Sequence, residues 1–327
     1  MDTRRLRGKS GLETSAIGLG CMGFSQGYGF ADDTDSLLTI RRALDLGVTL
    51  LDTAMSYGRG QNELLVARAV QGRRDDVVLA TKFGIVRGED GVYLDGHPKN
   101  VRRYCEESLT RLGVEVIDLY YLHRIDRAVP VADTVGAMAD LVAEGKVRHL
   151  GLSEVNAIQL EQAAAVHPIA AVQFEWSLFW REPEDDVVPA ARRLGTALVP
   201  YSPLGRGLLT GALPAGEFPP GDFRHGDPRF QGDNLIHNRA LVDTLTALAT
   251  DLDATTGQLA LAWLLAQGPD VVPIPGTRRP ERIAENAAAA DLTLSPADLA
   301  RIEAAAPRAS WVGDRQSFAA HGIVRTS

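Results

Sequence analysis

The chain has 327 residues, 45% hydrophobic and 23% charged, the balance of a globular protein with room for a sizeable core. A formal charge of −8 without a basic, aromatic-interleaved run argues against nucleic-acid binding, and no apolar run approaches bilayer-spanning length. Two distant cysteines, Cys21 and Cys105, exclude a disulfide framework and a cysteine metal site; with no apolar stretch after Arg4, Arg5, Arg7 and Lys9 to form a secretory signal, a cytoplasmic location is expected.

Eight short apolar runs predict strands buried on both faces, as in a parallel sheet. They begin near Ala16 (AIGLGC), Val48 (VTLLDTA), Val77 (VVLATKF), Ile117 (IDLYYLH), Val147 (VRHLGLS), Ala170 (AAVQFEW), Ala197 (ALVPYSPL) and Val271 (VVPIPG). Helical periodicity follows each, over residues 34–46, 63–70, 101–112, 133–144, 157–166, 185–194, 238–251 with 256–267, and 280–289. Eight βα units in series predict a closed (β/α)8 TIM barrel spanning residues 1–327 as one domain, behind a short N-terminal extension.

A doubly wound open sheet is the rival, because Gly18, Gly20 and Gly23 spell G-x-G-x-x-G after the first strand. In a dinucleotide-binding unit those glycines open a helix at once, whereas here FSQGYGFADD intervenes before helical periodicity resumes. The glycines are therefore expected to shape a pocket floor. Residues 205–234, rich in Gly, Pro, Asp and Phe and placed after the seventh strand, are expected to form a long loop that closes over a bound dinucleotide; without cofactor few apolar contacts tie it down, and on closure Arg206, Arg224 and Arg229 are placed to approach the pyrophosphate.

In such a barrel, reactive residues gather where strands end. Asp52 ends the second strand, Tyr57 lies in the loop after it, Lys82 ends the third and His123 the fourth. Singly, each has an ordinary structural reading as a cap, a surface aromatic, an ion-pair partner or a core histidine. Together they suit carbonyl reduction: an alkoxide forming under hydride attack needs a proton, which the Tyr57 phenol can give. Lys82 is the cation that favours the phenolate, Asp52 holds Lys82 charged, and His123 directs the carbonyl oxygen. A strand-end lysine is also compatible with a Schiff-base lyase, and a nicotinamide-binding regulatory or redox-sensing subunit with little turnover is a further alternative.

Near the C-terminus, Thr277, Arg278 and Arg279 precede Pro280, a residue suited to a helix first turn, and Arg282, Glu285 and Asn286 follow along that helix. A helix start beside arginine forks is a phosphate site.

The segments LDTAMSYG, ATKFG, DLYYLHRID, GLSE, QFEWS, YSPLGRGLLTG and IPGTRRPERIAEN resemble, in order and spacing, those of the aldo-keto reductase superfamily, in particular the bacterial branch acting on small aldehydes and ketones. The resemblance covers nearly the whole chain. It implies an NADP-dependent oxidoreductase that uses NADPH to reduce a small-molecule carbonyl substrate, with the Asp-Tyr-Lys-His tetrad at Asp52, Tyr57, Lys82 and His123. It further implies nicotinamide contacts from Ser153, Gln173 and Tyr201, other cofactor contacts from Ser202, Leu204, Arg206 and Gly276, and a 2′-phosphate and adenine site formed by Thr277, Arg278, Arg282, Glu285 and Asn286. Many relatives carry Asn after the serine, where this chain has Glu154, and often Lys where it has Gly276. Met22, Phe24, Tyr28, Trp176 and Phe179 are expected to line the substrate pocket, favouring apolar or ring-bearing substrates, with the tail near Trp311 as a cover.

Overall fold

The computed structural model describes residues 11–88, 91–213 and 217–315, together with the backbone of a short strand at 3–5. Seven parallel strands make one sheet in sequential order: β1 (Leu19–Gly20), β2 (Leu50–Asp52), β3 (Val78–Phe83), β4 (Ile117–Leu122), β5 (Val147–Ser153), β6 (Ile169–Glu175) and β7 (Ala197–Tyr201). Sequential order in a parallel sheet is the topology of right-handed βα units, which places the helices outside.

The sheet closes through residues 271–275. The amides of Val272 and Ile274 donate to the carbonyls of Leu198 and Pro200 at 2.9 and 3.0 Å, while Gly18 and Gly20 donate to the carbonyls of Pro273 and Pro275 at 2.9 and 3.2 Å. Residues of a strand point their backbone groups alternately to either side, so both prolines face β1, where they accept but cannot donate. On the other side Pro200 of β7 likewise has no donor, so this eighth strand forms a complete ladder with neither neighbour, yet the barrel shuts. Its approach explains two of the glycines: a Cβ on Gly18 would stand 2.9 Å from Ile274 Cγ2, and one on Gly20 would stand 2.8 Å from the Ile274 carbonyl oxygen. After them comes a loop, with helix beginning only at Asp33, so the dinucleotide-fingerprint reading fails as the sequence suggests.

Among the described residues ten α-helices accompany the strands: α1 (Asp33–Asp45), α2 (Gln61–Val70), α3 (Pro98–Leu112), α4 (Val131–Ala143), α5 (Ala157–Val166), α6 (Val187–Leu194), α7 (Gly232–Asp251), α8 (Thr256–Ala266), α9 (Pro280–Ala288) and α10 (Pro296–Ala305). Their starts carry local signals: Asp32 accepts from the amides of Thr34 and Asp35, and capping boxes formed by Asn156 with Gln159, Thr255 with Gln258, and Ser295 with Asp298 open α5, α8 and α10. The helix α10 and two antiparallel hairpins, Thr3–Arg5 with Glu13–Ser15 and Ile85–Gly88 with Gly91–Leu94, are additions to the predicted elements.

Apolar side chains fill both sides of the sheet. Leu12, Leu50, Leu119, Tyr121, Val199 and Ile274 belong to one buried cluster, and a larger one joins the strands to the helices. No described helix is long and apolar enough to cross a membrane.

Candidate active site

The parallel strands end on one mouth, and a cavity of about 420 Å³ opens there. Asp52 is the last residue of β2, Lys82 the penultimate residue of β3, and His123 follows β4, so topology alone brings them to one rim. Lys82 is fully buried and forms a short ion pair with Asp52. Its Nζ also donates to the Thr53 carbonyl at 2.9 Å and to the Tyr57 hydroxyl at 3.4 Å. The Tyr57 ring stands edge-on to His123, with centroids 5.7 Å apart, and Ser56 Oγ lies 3.5 Å from His123 Nδ1. The four predicted residues thus form one contiguous cluster, and Asp52, Tyr57 and His123 line the cavity.

Burial works against a charged Lys82, but the Asp52 carboxylate and the Tyr57 phenol prevail and its pKa is raised. Burial also raises the Tyr57 pKa, with Lys82 opposing, so the phenol keeps its proton through the neutral range. Burial pushes His123 well below the usual histidine range, reinforced by Arg124, Lys82 and Arg87, which leaves a neutral imidazole. The arrangement offers a protonated acid, a fixed cation behind it and a neutral hydrogen-bonding ring.

Beyond this cluster the cavity runs along β7 to the start of α9. Gln173, Tyr201, Ser202, Leu204, Arg206, Gly276, Thr277, Arg278, Arg282, Glu285 and Asn286 all line it. Ser153 does not: it is buried, and its Oγ accepts from Arg124 at 3.0 Å. Gln173 donates to Asp52 Oδ2 at 2.8 Å and so buttresses the buried carboxylate. Arg278 donates to the Phe30 carbonyl at 2.6 Å, and Arg282 pairs closely with Glu285.

Of the expected substrate-pocket residues, Met22 and Tyr28 line the cavity, whereas Phe24, Trp176 and Phe179 are buried elsewhere. Trp176 donates to Glu184 at 2.9 Å and packs edge-on against Trp263; Phe179 packs against Trp311 and Phe230. Large aromatic side chains satisfy the core as readily as a pocket wall, which is why composition misplaced them. Trp311 seals against Phe179, and the tail from 316 to 327 lies outside the described residues.

The segment after β7 is better tethered than its composition implies. Leu208, Leu209, Phe218 and Phe230 are buried, and α7 already begins at Gly232. Arg229 turns inward, pairing with Glu175 and Asp227 at 2.7 Å each, and Arg206 lies near the same two carboxylates at 3.9 and 3.7 Å. Arg224 is held bidentately by Asp222. Of these three, Arg206 and Arg224 border the cavity with their charges engaged by acids, and Arg229 does not border it.

Sequence reasoning missed an ionic cluster beneath this rim. Glu154, with left-handed backbone at φ 55°, turns its carboxylate to the Tyr201 hydroxyl at 2.9 Å and to Arg315 at 2.6 Å. Four of the five described non-glycine residues with left-handed backbone, Arg59, Glu154, Ser202 and Arg206, lie in the loops of this mouth, where such strain commonly marks function. Arg87 and Arg124 also line the cavity beside the tetrad; the adjacency of Arg124 to His123 was the one available signal.

Comparison with known proteins gives a consistent picture. The Aldo/keto reductase family model matches residues 16–307. A probable aldo-keto reductase 1 from Glycine max is 45% identical over 311 residues, 94% of this chain and 90% of the relative. Among solved structures, the glycerol dehydrogenase AKR11B4 from Gluconobacter oxydans superposes with a TM-score of 0.86 at 32% identity, covering 94% of this chain and 96% of that one. An aldo/keto reductase from Klebsiella pneumoniae, solved in complex with NADP and acetate, gives 0.72 at 29% identity, covering 93% and 95%.

Proposed function

Since the chain belongs to the aldo/keto reductase family, we propose that it is an NADPH-dependent reductase of small aldehydes and ketones, with Tyr57 as the proton donor. The observation that carries this reading is the buried triad in which Lys82 bridges Asp52 and the Tyr57 hydroxyl at the strand-end mouth.

The cavity fits the cofactor: it runs without a break from Tyr57 and His123 to Arg278 and Arg282 at the start of α9, joining a proton-donating end to a phosphate-binding end. Bound NADPH supplies the hydride. Tyr201 and Gln173 hold the nicotinamide end, and Arg278 and Arg282 grip the 2′-phosphate while Thr277, Glu285 and Asn286 seat the adenosine. Tyr57 passes its proton to the carbonyl oxygen as negative charge develops there, and Lys82, kept charged by Asp52, stabilises the phenolate left behind. Neutral His123 donates a hydrogen bond to the same oxygen and fixes its direction. The raised Lys82 pKa weighs against the Schiff-base alternative, which needs an unprotonated amine.

The test is an absorbance screen at the NADPH band with aldehydes, ketones, pyridoxal and keto sugars. Carbonyl-dependent oxidation of NADPH supports the reading. Cofactor binding without turnover across the panel would favour the sensor alternative.

A further inference from the structure

Among the described residues, the charges around the tetrad are not balanced. Asp52 is engaged by Lys82 and Gln173, and the inward-facing Arg229 and Arg315 are matched by Glu154, Glu175 and Asp227. Arg87 has no such partner among the described residues. It projects from the hairpin inserted after β3 and lines the same cavity as Tyr57 and His123. It is half-buried, and its hydrogen bond is from Nε to the Ser56 carbonyl at 3.1 Å. That bond spends the side nitrogen on the backbone just before Tyr57 and leaves the terminal nitrogens of the guanidinium without a hydrogen bond among the described residues. Burial lowers the Arg87 pKa, and the neighbouring cation Arg59 adds to the effect. A guanidinium that has lost part of its water, stands beside a like charge and has no acid opposite it gains from any anion that enters. Its planar pair of terminal donors matches a carboxylate.

We infer that Arg87 is the acid-group acceptor of the substrate site, and that the preferred substrates are oxo acids whose carboxylate is bound by Arg87 while their aldehyde or ketone oxygen faces Tyr57 and His123. The inference rests on the reductase reading and narrows its substrate class away from the purely apolar one that the aromatic residues suggest. The reaction balances simply: hydride adds to the carbonyl carbon, the Tyr57 proton adds to the oxygen, and the carboxylate emerges unchanged in a hydroxy acid. Arg87 is here a specificity residue that touches the substrate's carboxylate and not the reacting atoms.

The test compares kcat/KM for 4-oxobutanoate with that for butanal and methyl 4-oxobutanoate, and repeats it with shorter and longer oxo acids to vary reach. One charge-assisted contact predicts that the best acid exceeds its neutral partners by roughly tenfold or more, chiefly through KM. In Arg87→Gln that ratio should fall to within about threefold of parity, while Arg87→Lys, which keeps the charge but loses the fork, should retain part of it. NADPH binding and circular dichroism establish that each variant is folded. A wild-type enzyme indifferent to the carboxylate at every length, or a preference that survives in Arg87→Gln, overturns the inference. So does a stronger preference for a phosphorylated aldehyde, which would assign the cation to phosphate. Reduction of neutral aldehydes, and its loss in Tyr57→Phe, reports separately on the reductase reading; if no carbonyl is reduced at all, both fall.

Discussion

Arg315 donates through Nη2 to the Tyr201 hydroxyl at 2.8 Å, joining the far end of the described chain to the ring that ends β7. The same guanidinium meets Glu154 at 2.6 Å and Glu175 at 2.8 Å, and all three groups are buried. Docking of the C-terminal segment is therefore coupled to placement of the Tyr201 ring, because Arg315 is the ion-pair partner of buried Glu154 and shares Glu175 with Arg229.

Arg315→Ala leaves Glu154 and Glu175 short of a partner, and the expected loss of stability is about 3 to 5 kcal/mol, read from urea denaturation. Against the pull of burial, Arg229, Arg315 and Arg206 hold the Glu175 carboxyl down to about 2 from its ordinary 4.5. A pKa lowered in the folded state contributes stability above 4.5 that is lost as pH falls toward about 2. Thermal melts from neutral pH down through that window should fall steeply in the wild type and less steeply in Arg315→Ala. Parallel curves would separate Arg315 from this carboxylate.

Tyr57→Phe removes the proposed proton donor and should lower kcat by roughly 100-fold or more while NADPH still binds. Because the phenol pKa is raised and His123 stays neutral, wild-type kcat should be flat across neutral pH and decline only on the alkaline side, without an inflection near the ordinary histidine value of about 6.5. Turnover in the phenylalanine variant within about threefold of wild type would end the assignment of Tyr57 as general acid.

Replacing Arg278 and Arg282 together with Ala should weaken NADPH binding by about 2 to 5 kcal/mol and NADH binding far less. Both side chains now make internal bonds, to the Phe30 carbonyl and to Glu285, which they would exchange for the phosphate. Fluorescence titration with each nucleotide distinguishes this from a general loss of the site, in which the two affinities fall equally.

Gly151→Ala tests how tightly the floor of the site is packed. A Cβ there would stand 2.4 Å from the Tyr121 ring, whose centroid lies 5.9 Å from Lys82 Nζ. Overpacking of this kind costs about 1 to 3 kcal/mol, and displacement of the ring toward Lys82 should lower kcat as well. A variant as stable and active as wild type would mean that the ring has room to move.

That Asp52, Tyr57, Lys82 and His123 meet was legible because topology, not distance along the chain, decides where strand ends converge: polar residues at or beside the ends of β2, β3 and β4 share one mouth in a closed barrel. The final strand was legible from its apolar run, although Pro273 and Pro275 deprive it of a full ladder. The anchoring of segment 205–234 was missed because Gly and Pro content hides the few described residues that tether it, Phe218, Phe230 and Arg229. No local pattern in VRGEDGVYL separates a hairpin from a loop, so Arg87 had no address until the fold supplied one. Likewise Glu154 reads as a departure from a familiar motif; its partner Arg315 lies near the other end of the sequence, where pairing cannot be inferred from spacing.

The proline-bearing strand also sets an order of assembly. Its bonds to Gly18 and Gly20 join the first strand of the barrel to the last, so during synthesis β1 must wait, one edge unpaired, until nearly the whole chain has emerged. Every other neighbouring pair of strands is consecutive in sequence and is free to form as it appears. The seam is thus the last strand pairing of the barrel to become available during synthesis, and new termini introduced elsewhere, with the present chain ends joined, would produce a chain that completes its barrel along a different line.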